Sequence, residues 1–342
     1  MLTFRIRLAI ILNDNDFHYR MRSGEENMKR FSTVMSAITV VAITLSGCGN
    51  TDTQSEGKED TRTYIDPAGE EIQIPEKPDT IVTDFYAGEL LAVGANVVGS
   101  GSWSFTNPFI QDELQDIKDL GDPINTEEVL ELAPDLIVVM DGEQAEKLSQ
   151  IAPTVVIPYN TAKSVEESLE LFGELANTEE EAETFLAEYE EEATAAKERV
   201  NEVISEDDTF GIYELTNKGE FWVFNDNGGR GGQVLYNAFD LNAPDRIEEE
   251  VIKTGEMKQL SPEVVPDYAA DYMFITDYNP DGDSTTLEEL EGSAIWQGLD
   301  AVKNEKVFIN DFDTFYPYDP ISIRNQLGLF ADMIVERAET NE

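Results

Sequence analysis

One arginine among glycines is the feature of this sequence best suited to binding chemistry. Arg230 lies in the run Gly-Gly-Arg-Gly-Gly at 228–232, and its guanidinium can donate hydrogen bonds to oxygen atoms of a ligand. The chain has only 23 Lys and Arg among 342 residues, so an arginine held between glycines favours a ligand contact. The alternative is a salt bridge to a neighbouring Asp that braces the loop.

Aromatic residues accompany this arginine at predicted strand ends and loops. Such side chains could line a cleft around a compact ligand with an apolar shell and oxygen atoms at its edges. The alternative for each of them is a place in the hydrophobic core. The candidates are Trp222, Phe224, Phe315, Tyr316 and Tyr318 in the C-terminal half, and Trp103, Phe105 and Met140 in the N-terminal half.

The residue types needed for several kinds of catalysis are scarce. The sequence has one histidine, His18, and one cysteine, Cys48. A single cysteine excludes an intrachain disulfide and a Cys-rich zinc or iron–sulfur site. If the chain is processed at Cys48, no histidine remains for a Ser-His-Asp triad. Carboxylates are so frequent that a glycosidase-like pair carries no information, so a secreted hydrolase stays only as an alternative.

One acidic segment has the spacing of a calcium-binding loop. It places oxygen ligands at alternating positions around Gly282. The residues before it have a strand pattern instead of a helical one, so an acidic surface loop is the preferred interpretation and calcium binding the alternative. The candidate ligands are Asp277, Asn279, Asp281, Asp283 and Glu288.

The net charge restricts the partners. With 71 acidic and 23 basic residues the formal charge is −48, which excludes non-specific binding to nucleic acid or to anionic lipid. We interpret the acidity as an adaptation of an exposed protein to salty or alkaline surroundings.

The N-terminal region predicts export. Residues 1–27 form an upstream segment that we expect to be either untranslated or an unusual extension, because Met28 begins a signal-like segment. Residues 28–47 have a basic start and a short apolar stretch, and Leu-Ser-Gly before Cys48 resembles the lipobox of bacterial lipoproteins. A buried helix that ends at a free cysteine is the alternative. The resemblance implies lipidation at Cys48 and an extracytoplasmic protein anchored to the cell membrane, with a polar tether over 48–61.

The rest of the chain predicts an α/β fold. Short β-branched runs alternate with helical patterns on both sides of a helix-forming stretch, which is typical of parallel sheets. We therefore expect an N-terminal lobe over 62–165, a helical bridge over 166–204 and a C-terminal lobe over 205–342, with a ligand cleft between two parallel-sheet lobes bridged by a long α-helix.

Several segments resemble the bilobed binding proteins of iron-siderophore and cobalamin ABC importers. They are Gly-Glu-Leu-Leu-Ala-Val-Gly at 88–94, Ala-Pro-Asp-Leu-Ile-Val at 133–138, and Trp296 followed by Lys-Val-Phe at 306–308. The run Asn-Gly-Gly-Arg-Gly-Gly-Gln-Val-Leu-Tyr at 227–236 is similar to the hydroxamate-siderophore-binding lipoproteins of Gram-positive bacteria.

This resemblance implies a role and residues that carry it. The role is the capture of an iron(III)-siderophore and its delivery to a permease dimer with its ATPase, by a monomer without enzymatic activity or cofactor. Arg230, Trp222 and Tyr316 match pocket positions of the family, whereas Gly228 stands where relatives have a tryptophan. Glu127 and Glu263 match the glutamates that pair with permease arginines.

The scarcity of cations bears on the class of ligand. A triply charged tris-catecholate complex of iron would need several Lys or Arg, and only Arg230 and Arg324 are candidates. A neutral ferric hydroxamate fits better. Catecholate siderophores, ferric citrate, cobalamin and haem stay as alternative ligands, and a surface adhesin stays as an alternative function.

Overall fold

The computed structural model describes residues 60–280, 282 and 285–340. The signal peptide over 28–47, Cys48 and most of the tether lie outside the described residues, as do Asp281 and Asp283 of the acidic loop. Residues 60–342 form one compact unit by themselves.

The described chain begins with a hairpin and continues into the first sheet. Strands β1 (Thr61–Ile65) and β2 (Glu71–Pro75) pair antiparallel. The next five strands form a parallel sheet in the order β5-β4-β3-β6-β7, which we call the N-lobe sheet. Its strands are β3 (Ile81–Thr83), β4 (Val97–Ser100), β5 (Lys118–Asp119), β6 (Leu136–Val139) and β7 (Thr154–Val156).

Helices connect the parallel strands, since a parallel pair needs a crossover. They are α1 (Ala87–Ala92), α2 (Thr126–Leu132) and α3 (Ala145–Leu148), with 3₁₀ turns over Ser102–Thr106, Pro108–Ile110 and Glu113–Asp116. Asn125 caps α2 by accepting hydrogen bonds from the amides of Glu127 and Glu128.

Two helices lead from the first sheet to the second. They are α4 (Val165–Ala176) and the longer α5 (Glu179–Asn201), and they are separated by Asn177 in a left-handed conformation (φ 55°). The long α-helix predicted between the two lobes is confirmed. It buries only a narrow stripe of small or apolar residues, namely Ala182, Ala193, Ala196 and Val200.

The second sheet repeats the strand order of the first with one strand reversed. Its order is β10-β9-β8-β11-β12, and we call it the C-lobe sheet. The strands are β8 (Phe210–Thr216), β9 (Phe221–Val223), β10 (Lys258–Leu260), β11 (Tyr272–Tyr278) and β12 (Val307–Asp311). Strand β9 runs antiparallel to both neighbours, because the turn before it, which contains Gly219 at φ 75°, joins it to β8 as a hairpin.

The C-lobe has short helices and one long one. The short elements are α6 (Asp245–Ile247), α7 (Thr285–Gly292), α8 (Asp300–Lys303) and α9 (Phe312–Phe315), π-helical turns over Gln233–Ala238 and Glu248–Ile252, and 3₁₀ turns over Pro262–Asp267 and Trp296–Gly298. Helix α10 (Pro320–Thr340) closes the described chain and packs against α1, α4 and α5.

A single hydrophobic core extends through both lobes. It joins Leu136 and Val138 of the N-lobe sheet to Ile212 and Phe274 of the C-lobe sheet, and the apolar faces of α4, α5 and α10 line it. Each lobe has a separate, smaller core on the outer face of its sheet. Because the central core is shared, we expect the lobes to unfold together and to change their relative position only modestly.

The structure confirms the predicted fold class, an α/β protein with two sheets and a long helix between them. The boundaries proposed for the individual domains stay predictions. Among the described residues, no helix is both long enough and apolar enough to span a membrane.

Candidate functional site

The carboxyl ends of the N-lobe strands carry aromatic residues. Phe85 follows β3, Trp103 follows β4 and Tyr159 follows β7. In open α/β sheets this edge is where ligands bind, because loops from several parallel strands meet there. The N-lobe therefore contributes three large rings to one edge.

Rings from the C-lobe meet these rings between the lobes. Phe312 and Tyr316 stack at a centroid distance of 4.5 Å, and Tyr316 lies 6.1 Å from Trp103. Tyr318 contacts Phe85 at 6.2 Å and Tyr159 at 5.7 Å. We call the six residues Phe85, Trp103, Tyr159, Phe312, Tyr316 and Tyr318 the interlobe aromatic cluster.

Arg230 lies against this cluster and is itself buried. Its guanidinium carbon is 4.0 Å from the centre of the Phe224 ring and 4.9 Å from that of Tyr316. Its Nε donates to Oε2 of Glu214 at 2.8 Å, its Nη2 donates to the same oxygen, and its Nη1 donates to the Gly228 carbonyl at 2.6 Å. Both members of the ion pair are 2% exposed, so the positive charge of Arg230 is neutralised inside the protein.

The ion pair leaves hydrogen-bonding capacity on Arg230. A guanidinium has five N–H groups, and three of them are used in the bonds to Glu214 and Gly228. One N–H on each terminal nitrogen has no hydrogen-bond partner among the described residues. The site thus offers donors and aromatic faces without a net positive charge.

The glycines around Arg230 are needed for its position. Arg230 itself has φ 57°, and Gly229 and Gly231 have φ 71° and 91°. A Cβ on Gly229 would lie 2.5 Å from the Tyr316 carbonyl oxygen, and one on Gly231 would lie 2.0 Å from the Phe330 ring. The loop therefore packs directly on the segment that carries Tyr316, which a larger residue would prevent.

Trp222 lies on the same face of the C-lobe sheet as the ion pair. It is the cross-strand partner of Glu214 in the β8–β9 ladder, and its indole donates to Glu220 at 3.4 Å. Cross-strand partners share one face of a sheet, so the half-buried indole is beside the Arg230–Glu214 pair. The structure thus brings together three residues that the sequence analysis selected, Trp222, Arg230 and Tyr316.

The other predicted binding residues have more varied positions. Phe224 is buried beneath Arg230, and Phe315 is buried against Phe330 at a ring distance of 5.2 Å, so both belong to the core. Phe105 and Met140 are half-buried and pack on the edge of the shared core.

Arg324, the second cation considered for the ligand, is engaged elsewhere. Its Nη1 donates to Glu188 at 2.8 Å and its Nε to Glu192 at 3.0 Å, which links α10 to α5. Its charge is therefore balanced on the helical side of the molecule.

Hydrogen bonds join the loop that contains Arg230 to the N-lobe. Asn227 donates to the Ala162 carbonyl at 3.1 Å and to the side chain of Asn160, and Gln233 donates to the Lys163 carbonyl at 2.7 Å. These bonds hold residues 227–233 of the C-lobe against the loop that follows β7. The position of Arg230 is thereby coupled to the relative position of the two lobes.

A half-buried carboxyl group, that of Asp84, follows the end of β3. Asp84 accepts a hydrogen bond from the Met140 amide at 2.9 Å, and burial raises its pKa from 3.8 to about 7. Burial also raises the pKa of the Tyr316 hydroxyl, which therefore stays protonated and can donate to a ligand oxygen.

Glu127 and Glu263 occupy corresponding places in the two lobes. Each is exposed in the first turn of a short helix, α2 or the 3₁₀ turn Pro262–Asp267. Each helix follows the outermost strand at one end of its sheet, β5 or β10, and precedes the fourth strand of its lobe, β6 or β11. The two carboxylates thus lie at equivalent positions on the carboxyl edges of the sheets.

The acidic loop is described only in part. Asp277 lies near the end of β11, Asn279 follows the strand, and Glu288 lies in α7. Among residues 60–280, 282 and 285–340, no group of three or more His, Cys, Asp or Glu side chains could hold a metal ion. The calcium interpretation, which also needs Asp281 and Asp283, stays untested.

Sequence reasoning missed four members of the site. Three of them lie just after a strand or at the start of the helix that follows one: Phe85, Tyr159 and Phe312. Their position at the carboxyl edge of a sheet is the sequence feature that indicates a ligand contact. Glu214 is the one charged residue of β8, whose seven residues are all buried. A carboxylate in such a strand requires a cation, and this was the signal for its pairing with Arg230.

Comparisons with known proteins agree with this geometry. The sequence profile of the periplasmic binding protein family matches residues 80–314. The chain is 58% identical over 322 residues to the iron(3+)-hydroxamate-binding protein YxeB of Bacillus subtilis, covering 92% of this chain and 100% of that protein. It is 33% identical to the iron(3+)-hydroxamate-binding protein FhuD of the same organism, covering 90% of this chain and 98% of that protein.

A solved structure with the same architecture is available for comparison. It is a Bacillus subtilis protein of the FhuD fold family, described as a periplasmic binding protein component of a ferrichrome ABC transporter. The two structures superpose with a TM-score of 0.72 at 34% sequence identity, over 80% of this chain and 100% of the other.

Proposed function

Because the chain belongs to the periplasmic binding protein family, we propose that it is the substrate-binding component of an ABC importer for iron(III)-hydroxamate siderophores. Two relatives that it matches over nearly their whole length are iron(3+)-hydroxamate-binding proteins. In this proposal the protein carries the iron complex as its cargo. Capture of the complex requires binding contacts and no catalytic residues.

The neutralised Arg230 within the interlobe aromatic cluster is the observation that carries the proposal. A ferric hydroxamate is compact and roughly neutral, with apolar ligand arms and oxygen atoms around the metal. The rings of Trp103 and Tyr316 suit the apolar arms, and the unused N–H groups of Arg230 suit the oxygens. Because Glu214 balances its charge, Arg230 provides no net attraction for a trianionic tris-catecholate complex.

A ligand panel tests this function. Tryptophan fluorescence of the purified protein would be titrated with ferrichrome, ferrioxamine, ferric citrate, a ferric tris-catecholate, cobalamin and haem, with inner-filter controls. We expect saturable quenching by the two hydroxamates and none by the catecholate. A preference for the catecholate would contradict the assigned class of ligand. A flat response to all six compounds would contradict siderophore binding itself and return the adhesin as the leading alternative.

We further propose that Glu127 and Glu263 dock the loaded protein on the permease. Their support is their exposure at equivalent positions of the two lobes, which would present one carboxylate to each half of a permease dimer. The double change Glu127→Ala and Glu263→Ala should leave hydroxamate binding intact and stop uptake of the iron complex by cells. Glu170→Ala with Glu198→Ala, two exposed acids on the helices α4 and α5 between the sheets, is the control that removes the same charge. Normal uptake by the first variant would refute this assignment.

Anchoring to the cell membrane through Cys48 and a monomeric state complete the proposal. The support for anchoring is the lipobox-like sequence before Cys48. Radiolabelled palmitate should enter the wild-type protein in cells and should not enter a Cys48→Ala variant. Equal labelling of both proteins would refute lipidation at this residue.

A further inference from the structure

A cavity lies behind the interlobe aromatic cluster. Tyr318 belongs to its wall, as do Tyr86, Glu89, Ser168, Asn227 and Gln233. It reaches from the loop after β7 to the start of α10 and encloses about 30 Å³ of free space, which suffices for roughly two water molecules or one ammonium group. We call it the Glu89 cavity.

The carboxylate of Glu89 is the unusual group in this wall. Glu89 is 6% exposed, and among the described residues no other side chain donates a hydrogen bond to it. Asp319, the nearest other acid, has its own partners: it accepts from the Ser322 amide and hydroxyl and from the Asn107 amide group. A buried carboxylate whose one recorded donor among the described residues is its own backbone amide is costly to keep ionised, so Glu89 favours either a proton or a cation.

The remaining lining favours a cation with N–H donors. The described residues around the cavity include no Lys or Arg; about half of them are apolar, and Glu89 is the one charged residue among them. The Tyr86 hydroxyl donates to the Ile157 carbonyl and so keeps its lone pairs, and the Tyr318 hydroxyl is buried without a hydrogen-bond partner among the described residues. A primary ammonium, with three donors and a small size, matches such a set of acceptors and rings.

We propose that the Glu89 cavity is a subsite for a primary ammonium group, which the Glu89 carboxylate binds through a charge-assisted hydrogen bond. The ammonium is the terminal amine of a linear iron(III)-hydroxamate ligand whose metal centre lies at the interlobe aromatic cluster. This inference rests on the proposed function and narrows it to hydroxamates with a free amine. Tyr318 is the structural link, because it contacts Tyr316 at a ring distance of 6.3 Å on one side and lines the cavity on the other.

The titratable groups that face Glu89 determine how pH acts on this subsite. Asp319, Tyr86 and Tyr318 are its neighbours. Burial raises the pKa of both tyrosines well above their usual value, so they stay neutral across the physiological range. Burial, together with the charge of Asp319, raises the pKa of Glu89. An ammonium binds the ionised carboxylate, so its affinity should increase as the pH rises through the pKa of Glu89.

The test compares two ligands that differ only at the amine. Dissociation constants of a linear ferrioxamine with a terminal amine and of its N-acetylated form would be measured for the wild-type protein and for Glu89→Gln. We expect the wild type to prefer the amine form by at least about tenfold, and Glu89→Gln to lose this preference. Glu170→Gln on the solvent side of α4 removes the same charge and should keep the preference.

The outcomes separate the subsite from the proposed function. Binding of both ferrioxamines without discrimination by the wild type would overturn the subsite and leave the hydroxamate function intact. Binding of neither would overturn the function. A third outcome is that the two ferrioxamines bind equally, while n-pentylamine alone stabilises the wild type against heat and does not stabilise Glu89→Gln. The cavity would then bind a free amine, and the assignment of the ammonium to the siderophore would be overturned.

The pH dependence of the wild-type protein keeps the test independent of how the variant folds. The ratio of the two affinities should rise from pH 5 to pH 8 in favour of the amine form. A ratio that does not change over this range would contradict a role for an ionised Glu89.

Discussion

In the N-lobe sheet every strand runs in the same direction, whereas in the C-lobe sheet β9 runs against both neighbours, although the two sheets share one strand order. The N-lobe connects its first two strands through α1, and the C-lobe connects the corresponding strands through a hairpin. The chain consequently leaves β9 at the level of Ile212, close to the beginning of β8. It then crosses the inner face of the sheet as the glycine-rich loop with Arg230.

This difference determines what each lobe contributes to the site. The N-lobe supplies Phe85, Trp103 and Tyr159 from the ends of parallel strands, which is the usual location of ligand residues in such sheets. The C-lobe supplies Arg230 from the loop after its reversed strand and holds it with Glu214 from the middle of β8. One lobe thus provides apolar contact area, and the other provides a fixed, neutralised hydrogen-bond donor.

The strongest way to break this arrangement is to leave Arg230 without its partner. Glu214→Ala should lower the free energy of unfolding by about 3–5 kcal/mol, because it leaves a buried guanidinium uncompensated. Urea denaturation measures this loss. Asp332→Ala, which removes the exposed partner of Arg199, is the matched control and should cost less than about 1 kcal/mol. Similar losses for both variants would mean that the Arg230–Glu214 pair is not buried in solution.

Removal of the donor without leaving a lone buried charge tests its role in binding. The double variant Arg230→Met with Glu214→Gln should weaken ferrichrome binding by at least about tenfold, because the charge-assisted hydrogen bonds to the ligand are lost. Isothermal titration calorimetry gives the dissociation constant, and circular dichroism checks the fold. An unchanged dissociation constant would remove Arg230 from the site.

A pH-dependent contribution to stability should come from the N-lobe. In the folded protein the pKa of Asp84 is about 7 instead of 3.8, so the folded state binds more protons between these values, and stability falls as the pH rises through this window. The corresponding position after β8 is the neutral Asn217. Asp84→Asn keeps the acceptor for the Met140 amide and should be more stable than the wild type by about 1–4 kcal/mol at pH 8, where the upper value corresponds to the full shift.

Thermal unfolding at pH 4 and pH 8 checks this prediction. Most of the stabilisation by Asp84→Asn should be lost near pH 4, where the wild-type carboxyl group is protonated in the folded state and only about half ionised in the unfolded state. Asp79→Asn, an exposed change nearby, should show no such trend. An equal effect of Asp84→Asn at both pH values would mean that the change in stability does not come from the titration of Asp84.

The smallest expected effect concerns the apolar contacts of the N-lobe. Trp103→Ala should weaken ferrichrome binding by roughly twofold to tenfold, since an aromatic contact contributes about 0.5–1.5 kcal/mol beyond the area that it buries. Fluorescence quenching of the two remaining tryptophans reports the affinity. A loss larger than that of the Arg230 and Glu214 double variant would reverse the proposed division between the lobes.

Much of the architecture could be predicted from the sequence because it depends on local patterns. The alternation of β-branched runs with helical segments predicts both sheets, and the glutamate-rich run from Glu179 predicts the bridging helix. The reversal of β9 depends on the turn chemistry of Asn217 and Gly219, which the sequence contains but which the parallel pattern around it obscures. The long helix α10 has a clear start signal in Asp319 and Pro320 that was not used.

The site was less predictable, because its partners are distant in the chain. Arg230 and Glu214 are separated by a hairpin, and only the register of β8 with β9 brings Glu214 to the face that Arg230 covers. Phe224 and Phe315 have the residue type of a binding site but point into the core. Whether such a ring lies in the core or in the ligand cleft depends on how α10 packs, which the sequence alone does not show. Aromatic type alone does not separate a ligand contact from a core residue.

Hydrogen–deuterium exchange with and without ferrichrome tests most directly whether a neutral iron chelate binds between aromatic residues of the N-lobe and the neutralised Arg230 of the C-lobe. We expect slower exchange on ligand binding at residues 101–107 and 157–164 in the N-lobe and at residues 224–235 and 311–319 in the C-lobe. Protection of only one lobe, or protection confined to segments away from the carboxyl edges of the sheets, would contradict it.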